Sequence, residues 1–215
     1  MNNQKKIDRG IVIIGGSSGA LIAEEIFESQ YERIFFLETY SKSVVKSRII
    51  ADTITKGLDY LKKRDVEYFI ATGDNKKRQE NFQLIYKHIK KYPVNCIHES
   101  AYVSKSSSIG YGNLICPKSV IHTNASIGNN TIINTASVIE HDVIVSDYAQ
   151  ISPNATLAGR VVVGRGAFLG VGSVVIPDIK IGEWGVIAAG AAVISSTKRN
   201  ALYAGVPAVY KKDLK

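Results

Sequence analysis

The sequence predicts two architectures in series: an α/β N-terminal domain with a small parallel βαβαβ sheet over residues 1–95, then an all-β parallel β-helix of hexapeptide repeats over residues 96–215. Three observations predict this. Every sixth residue from Ile97 to Val193 is aliphatic without a failure, strand and helix patterns alternate between residues 10 and 91, and one pattern gives way to the other near residue 95.

Residues 10–37 read as strand, helix, strand: GIVIIGG is β-rich, SSGALIAEEIFESQ has helical periodicity, and RIFFLE is apolar and aromatic. A second unit follows, with EYFIATGD as a strand and Asn75 to Lys91 as a helix carrying Phe82, Ile85 and Ile89 on one face. Two turns, Gly15-Gly16-Ser17-Ser18-Gly19 and Gly73-Asp74-Asn75, fall beyond the carboxyl ends of strands, where parallel sheets take ligands. Glycines admit a phosphate close to backbone amides, and the helix start after Gly19 adds N–H groups and a favourable dipole. A nucleotide diphosphate suits that turn, although GGSSG is not the GxGxxG of dinucleotide enzymes and also fits a plain strand-to-helix turn. The same residues match GxSxG, which would make Ser17 a hydrolase nucleophile. Such a hydrolase needs an acid and a His later in the same sheet, and His88 and His98 are the histidines at hand, one in a helix and one at the junction. The pattern argues against it.

In the second half the aliphatic column runs Ile97, Val103, Ile109, Ile115, Ile121, Ile127, Ile133, Ile139, Val145, Ile151, Leu157, Val163, Leu169, Val175, Ile181, Ile187 and Val193. Small residues recur four places after each aliphatic, as at Ser119, Ala125, Ser137, Ala149 and Ala167, and Gly often follows it directly. A helix would space apolar residues by three and four, and an amphipathic sheet would alternate, so neither fits. Three hexapeptides closing one triangular coil do fit, giving roughly five coils whose aliphatics stack into one core. The segment from Ser195 onward is expected to leave the last coil and cap it.

The composition, 45% hydrophobic and 21% charged, is that of a globular protein. The polar start and the shortness of GIVIIGG predict no signal peptide, no membrane insertion and a cytoplasmic location. Cys96 and Cys116 form neither a disulfide framework nor a zinc-ligand cluster, so no metal is expected. The net charge of +8 is scattered without a nucleic-acid-binding motif, which fits a solvated basic surface or small phosphorylated ligands and no nucleic acid.

Two of the four histidines, His122 and His141, lie in the coils. His141 sits between Glu140 and Asp142, where a carboxylate can fix the tautomer of the ring and strengthen it as a general base. His122 has no acidic neighbour in sequence and reads as a turn residue.

The GGSSG turn, the ATGDNKKR segment, the INTASVIEHD motif, LAGRVVVG, FLGVGS and the closing AGVPA together resemble the hexapeptide-repeat sugar acetyltransferases of the sialic acid O-acetyltransferase type, above all those acting on nucleotide-linked amino sugars. INTASVIEHD is the specific part. The resemblance implies a left-handed β-helix, an exception to the usual crossover hand, and a homotrimer with active sites between chains. It implies catalysis by His141 oriented by Asp142, with acetyl-CoA as co-substrate and its pantetheine near Gly159, Val171 and Ala189. It places a nucleotide-linked amino sugar at Gly15, Ser17, Ser18 and Gly19 for the diphosphate, Glu38 and Lys42 for base or ribose, and Gly73, Asn75 and Arg78 completing the pocket, with Asn134 near the acceptor sugar. Many relatives carry Gly-His where this chain has Ser18 and Gly19, which leaves UDP, dTDP and GDP open.

The activity so implied is acetyl transfer from acetyl-CoA to the amine of a nucleotide-linked 4-amino-4,6-dideoxy sugar, in surface-glycan biosynthesis of the lipopolysaccharide O-antigen kind. A sialic acid or other sugar hydroxyl is the alternative acceptor, and a non-catalytic stack is the alternative from another class.

Overall fold

Parallel strand pairing organises both halves of the chain in the computed structural model, which describes residues 7–37, 48–51 and 53–214. The chain divides into two units, Met1–Cys96 and Ile97–Lys215.

The first unit has the elements β1 (Ile7–Ile14), α1 (Ser18–Phe27), β2 (Tyr31–Leu37), β3 (Ile49–Ala51), α2 (Ile54–Lys63), β4 (Val66–Ile70) and α3 (Asn75–Ile89). The strands form one sheet in the order β3-β2-β1-β4, every pair parallel. Ile11 to Ile14 are all buried, as expected of a central strand covered on both faces. Ala20, Ala23, Ile26 and Phe27 are the buried residues of α1, and the Phe27 ring meets Tyr31 and Phe69 edge-on at centroid distances of 5.4 and 5.7 Å.

Two elements add to the sequence reading. The strand β3 is only three residues long, too short to show a period, and α2 carries Gly57 in its interior, which weakens a helical pattern. Gly57 has a packing reason: the Leu37 side chain occupies the space where a Cβ would stand. The strand order places the reversal between β1 and β4, so the turns after these two strands flank one crevice at the carboxyl edge of the sheet.

The second unit is a left-handed parallel β-helix. Its two-residue strands recur every six residues and stack into three sheets of five, six and eight strands, the last including the C-terminal hairpin. Each strand pairs with the strand one coil away, as Val138 does with Val120 and Thr156. The whole aliphatic column lies in the core: Ile115 to Val193 are buried, and Ile97, Val103 and Ile109 pack partly buried against them. Ala125, Ala149, Ala155, Ala167 and Ala191 fill the tight space beside the column, and Ser119 and Ser137 satisfy their buried hydroxyls on Cys116 O and Asn134 O.

From Gly112 onward the corners hold a residue in the left-handed backbone region, among them Asn124, Asn130, Asp142, Asn154, Arg160 and Asp178, with φ between 52 and 64°. Asn, Asp and Gly tolerate that region best, which accounts for their recurrence in the repeat. The glycines directly after the aliphatics serve a different end. A Cβ at Gly170 would come 2.5 Å from Ala189 N, so these positions are glycine because the next coil crosses so closely.

At the C-terminus Ala201–Ala204 extends one sheet and pairs antiparallel with Val209–Asp213. Tail residues also occupy backbone groups of the final coils, with Thr197 N donating to Lys180 O at 2.9 Å and Ala208 N to Ala192 O at 2.7 Å. Among the described residues no helix is long and apolar enough to cross a membrane.

Ile139 is fully buried in the coil that carries His141. Ile139→Ala should lower the unfolding free energy by about 2–5 kcal/mol, through lost burial and the cavity left in a rigid stack, measured as a shift of the urea midpoint at unchanged slope.

Candidate active site

Residues Glu140-His141-Asp142 form a corner of the β-helix between the strands Val138–Ile139 and Ile144–Val145. Asp142 takes the left-handed backbone conformation with φ 60°, and its N–H donates to Thr123 O of the previous coil at 3.1 Å. The next coil bonds in turn to the His141 carbonyl, through Arg160 N at 3.0 Å. The two residues are thus held from both sides by backbone pairing while their side chains remain 46% exposed.

The His141 ring is fixed by a 2.8 Å hydrogen bond between Nδ1 and Asp142 Oδ2. With Nδ1 donating to a carboxylate, Nε2 carries the lone pair and is the atom able to accept a proton. Hydrogen bonds from His141 first and Asn124 second hold the Asp142 carboxyl below the usual carboxylate range, so it remains the anion this geometry needs. Glu140, the other flanking acid, does not hold the ring. Its Oε2 accepts from the His141 backbone N–H at 3.4 Å.

His122 and His98 take the opposite tautomer, and His88 shares that of His141 but on a backbone carbonyl in place of a carboxylate. His122 Nδ1 accepts from Thr123 N at 2.8 Å and His98 Nδ1 accepts from Ser100 N at 3.0 Å, so the Nε2 of each neutral ring carries the hydrogen. His88 Nδ1 bonds Leu84 O within its own helix. Carboxylate, tautomer and exposure therefore combine at His141.

Gly159 occupies the position one coil beyond His141, and a Cβ there would lie 2.5 Å from both His141 Cε1 and Nε2. Its lack of a side chain is what lets the imidazole lie over the next coil. Val171 and Ala189 stand at a different corner, one coil apart, where Gly190 N donates to Val171 O at 2.8 Å. Asn134 belongs to that second corner too, and its Oδ1 accepts from Thr135 N at 2.9 Å. Within one chain, then, Gly159 meets His141, while Val171, Ala189 and Asn134 share another edge of the triangular coil.

In the first unit, Gly15, Gly16, Ser17, Ala71, Thr72, Gly73, Asp74 and Lys77 line a cleft of about 320 Å³ at the crevice between β1 and β4. Gly15 has φ 132°, and a Cβ there would stand 3.1 Å from Ala71 O, so both conformation and space call for glycine. Ser18 and Gly19 open α1, with Ser17 as its N-cap. The Ser17 hydroxyl donates to Ala71 O at 3.4 Å, and the bond a hydrolase nucleophile makes to an imidazole is not its hydrogen bond here.

Asn75 and Arg78 hold the second turn together. Arg78 is 1% exposed and donates to Thr72 O at 2.9 Å, Gly73 O at 3.0 Å and Asn75 Oδ1 at 2.8 Å. The cation lining the cleft is Lys77, in the first turn of α3, where the Asp74 carboxylate caps its backbone N–H at 2.8 Å. Lys77 stands in the polar run Asp74-Asn75-Lys76-Lys77-Arg78, where nothing in the sequence singles it out; only the turn of the helix distinguishes it from the buried Arg78. Glu38 and Lys42 lie outside the described residues.

Neither cysteine is placed to form an acyl intermediate. Cys96 is buried with Sγ 3.9 Å from Ala23 O, and burial pushes the Cys116 thiol up to about 11, against weaker opposing hydrogen bonds from Thr135. Among the described residues no group of three or more His, Cys, Asp or Glu side chains is arranged to hold a metal ion.

Residues 10–85 match the PglD N-terminal domain. Over the whole chain the structure is similar to that of a His-to-Asn variant of perosamine N-acetyltransferase from Caulobacter crescentus, in complex with CoA and GDP-perosamine, with 33% identity, TM-score 0.88, and coverage of 95% of this chain and 97% of that one. The acetyltransferase domain of PglB from Neisseria gonorrhoeae matches at 25% identity and TM-score 0.87, over 95% and 100% of the two chains. WeeI from Acinetobacter baumannii shares the fold at 21% identity and TM-score 0.80, over 94% and 100%. No curated protein matches by sequence. An imidazole oriented by a carboxylate on a hexapeptide coil, a glycine-lined crevice in a PglD N-terminal domain, and 33% identity over nearly the full length agree with one another, and the chain belongs to the hexapeptide-repeat sugar acetyltransferases.

Proposed function

We propose that the protein transfers the acetyl group of acetyl-CoA to the amine of a nucleotide-linked 4-amino-4,6-dideoxy sugar, with His141 as general base, as a cytoplasmic homotrimer serving bacterial surface-glycan biosynthesis. The observation that carries this is the His141–Asp142 pair, with Nδ1 on the carboxylate and Nε2 as the proton acceptor.

In this mechanism the amine nitrogen attacks the thioester carbonyl as His141 Nε2 takes its proton. Backbone amides lining the donor groove stabilise the oxyanion of the tetrahedral intermediate. Attack makes the C–N bond; collapse restores the carbonyl as an amide, breaks the C–S bond and returns the proton from His141 to the departing CoA sulfur. Direct transfer is favoured over an acyl-cysteine because Cys116 is a buried, protonated thiol.

The cleft between β1 and β4 is assigned to the nucleotide diphosphate. Gly15, Ser17, Ser18 and Gly19 bring backbone amides and the start of α1 to it, Gly73 forms its far wall, and Lys77 supplies the cation. Asn75 and Arg78 shape the turn that carries Gly73. Glu38 and Lys42 are assigned to the base or ribose, Asn134 to the acceptor sugar, and Gly159, Val171 and Ala189 to the acetyl-CoA groove. Because Gly159 and the Val171–Ala189 pair stand on different corners of one chain, a groove walled by two neighbouring chains is the arrangement that unites them. The relative at 33% identity is named as an N-acetyltransferase, which favours the amine over the hydroxyl acceptor.

Thiol release from acetyl-CoA should be seen with one of a panel of UDP-, dTDP- and GDP-linked 4-amino-4,6-dideoxyhexoses, and His141→Ala should lower kcat by about 10²–10⁴-fold, the usual share of a general base. Wild-type turnover in a folded His141→Ala protein would remove the proposed base. Gly159→Ala should also depress kcat, since the new methyl group occupies the place of the imidazole, while the melting temperature stays close to wild type. Lys77→Ala should raise KM for the nucleotide sugar about tenfold, on the order of one charge-assisted hydrogen bond, with kcat little changed in initial-rate measurements.

A further inference from the structure

The Asp142 carboxylate lies in a column of four polar residues, Asn124, Asp142, Arg160 and Asp178, each one coil from the next at the same turn position. Asn124 Nδ2 donates to Asp142 Oδ1 at 3.3 Å, which leaves Oδ2 for His141 Nδ1. Arg160, next in the column, is close enough to Asp142 to interact with it electrostatically. Its hydrogen bonds go the other way, with Nε on Asp178 Oδ1 at 2.7 Å and NH2 on Asp178 Oδ2 at 2.8 Å.

The third corner of the coil offers a comparison, with an arginine that stacks on Tyr148, 4.6 Å from the ring centroid, and is not held by the acid beyond it. There Asn129, Asp147, Arg165 and Glu183 follow at the same spacing, one place earlier in the turn. Asp147 Oδ1 accepts from Asn129 Nδ2 at 3.1 Å, and Arg165 NH1 takes Oδ2 at 3.2 Å. The acid beyond it, Glu183, pairs with Arg199 instead. At that corner Arg165 takes the carboxylate oxygen left over by the asparagine below, the counterpart of the oxygen that His141 holds at Asp142.

We infer that Asp178 is a positioning residue of the active site: by pairing with the Nε–Nη2 edge of the Arg160 guanidinium it draws Arg160 away from Asp142, so that Oδ2 remains available to His141 Nδ1. Asn124 secures the opposite oxygen. The charged groups around Asp142 in this column are His141, Arg160 and, beyond it, Asp178, with Glu140 turned to the backbone. The inference rests on the reading of His141 as the base, but its direct observable, the tautomer of one ring, does not need turnover.

The test is long-range ¹H–¹⁵N NMR of the histidine rings in full-length protein, with His141 assigned by loss of its signals in His141→Ala, beside initial rates with acetyl-CoA and whichever of the UDP-, dTDP- and GDP-linked 4-amino-4,6-dideoxyhexoses the wild type acetylates. Wild type should show the Nδ1–H tautomer at His141. Asp178→Asn, a near-isosteric change at an exposed side chain, should reduce that tautomer and lower kcat about tenfold, a fraction of the general-base contribution, with KM for acetyl-CoA unchanged. Asp178→Asn combined with Arg160→Gln should restore both. A purely structural role for the column predicts the reverse order, with the double variant worse than the single. An unchanged His141 tautomer in Asp178→Asn, or no recovery in the double variant, overturns the inference. His141→Ala with wild-type turnover would remove the base itself, whereas its silence beside an unaltered Asp178→Asn protein would sink the role of Asp178 alone.

Discussion

Parallel pairing of each short strand with the strand one coil away is the constraint on which the rest of the second unit depends. It repeats every backbone position directly above its counterpart, so a corner side chain meets the residues eighteen before and eighteen after it as well as its neighbours in sequence. Apolar positions gain a continuous core from this, because each aliphatic packs on two others of its column. Corner positions gain ladders of hydrogen bonds, and because the coil bends there, their side chains stay in reach of solvent and ligand. His141 uses both effects: Ile139 behind it is anchored in the core, and the Asp142 carboxylate beside it is held by the coil below.

The same stacking makes space as important as side chains. Where coils cross closely a glycine is required by contact, and at Gly159 that contact is with the imidazole itself. Replacing function by mere stability would favour a side chain at such a position, since glycine costs conformational entropy. The site thus shows local stability given up for the placement of one ring.

The first unit reaches a comparable end by another route. Its strand order reverses between β1 and β4, and two turns that are far apart in sequence line one cleft. Arg78, buried against Thr72 and Gly73 carbonyls, fixes one of these turns from within, which leaves the neighbouring Lys77 to face the cleft. Adjacent cations in sequence carry different tasks because α3 turns one inward and the other outward.

Much of this was legible in the chain itself. The six-residue period, the glycine turns and the Glu140-His141-Asp142 cluster appear in the sequence because a repeat that buries one residue in six must keep that residue aliphatic at every coil. The short strand Ile49–Ala51 and the helix Ile54–Lys63 left no comparable trace, one too brief to show a period and the other interrupted by Gly57 for the sake of Leu37. Which of two cations lines the cleft, and the bonds of Asp142 to Asn124 and of Arg160 to Asp178, were decided only in three dimensions. Sequence by itself determines which aliphatic residues are buried in the coils and how the backbone repeats, since these follow from period and composition. Tertiary structure determines which polar atoms meet, because a hydrogen bond depends on distances of a few tenths of an ångström between coils that periodicity alone does not specify.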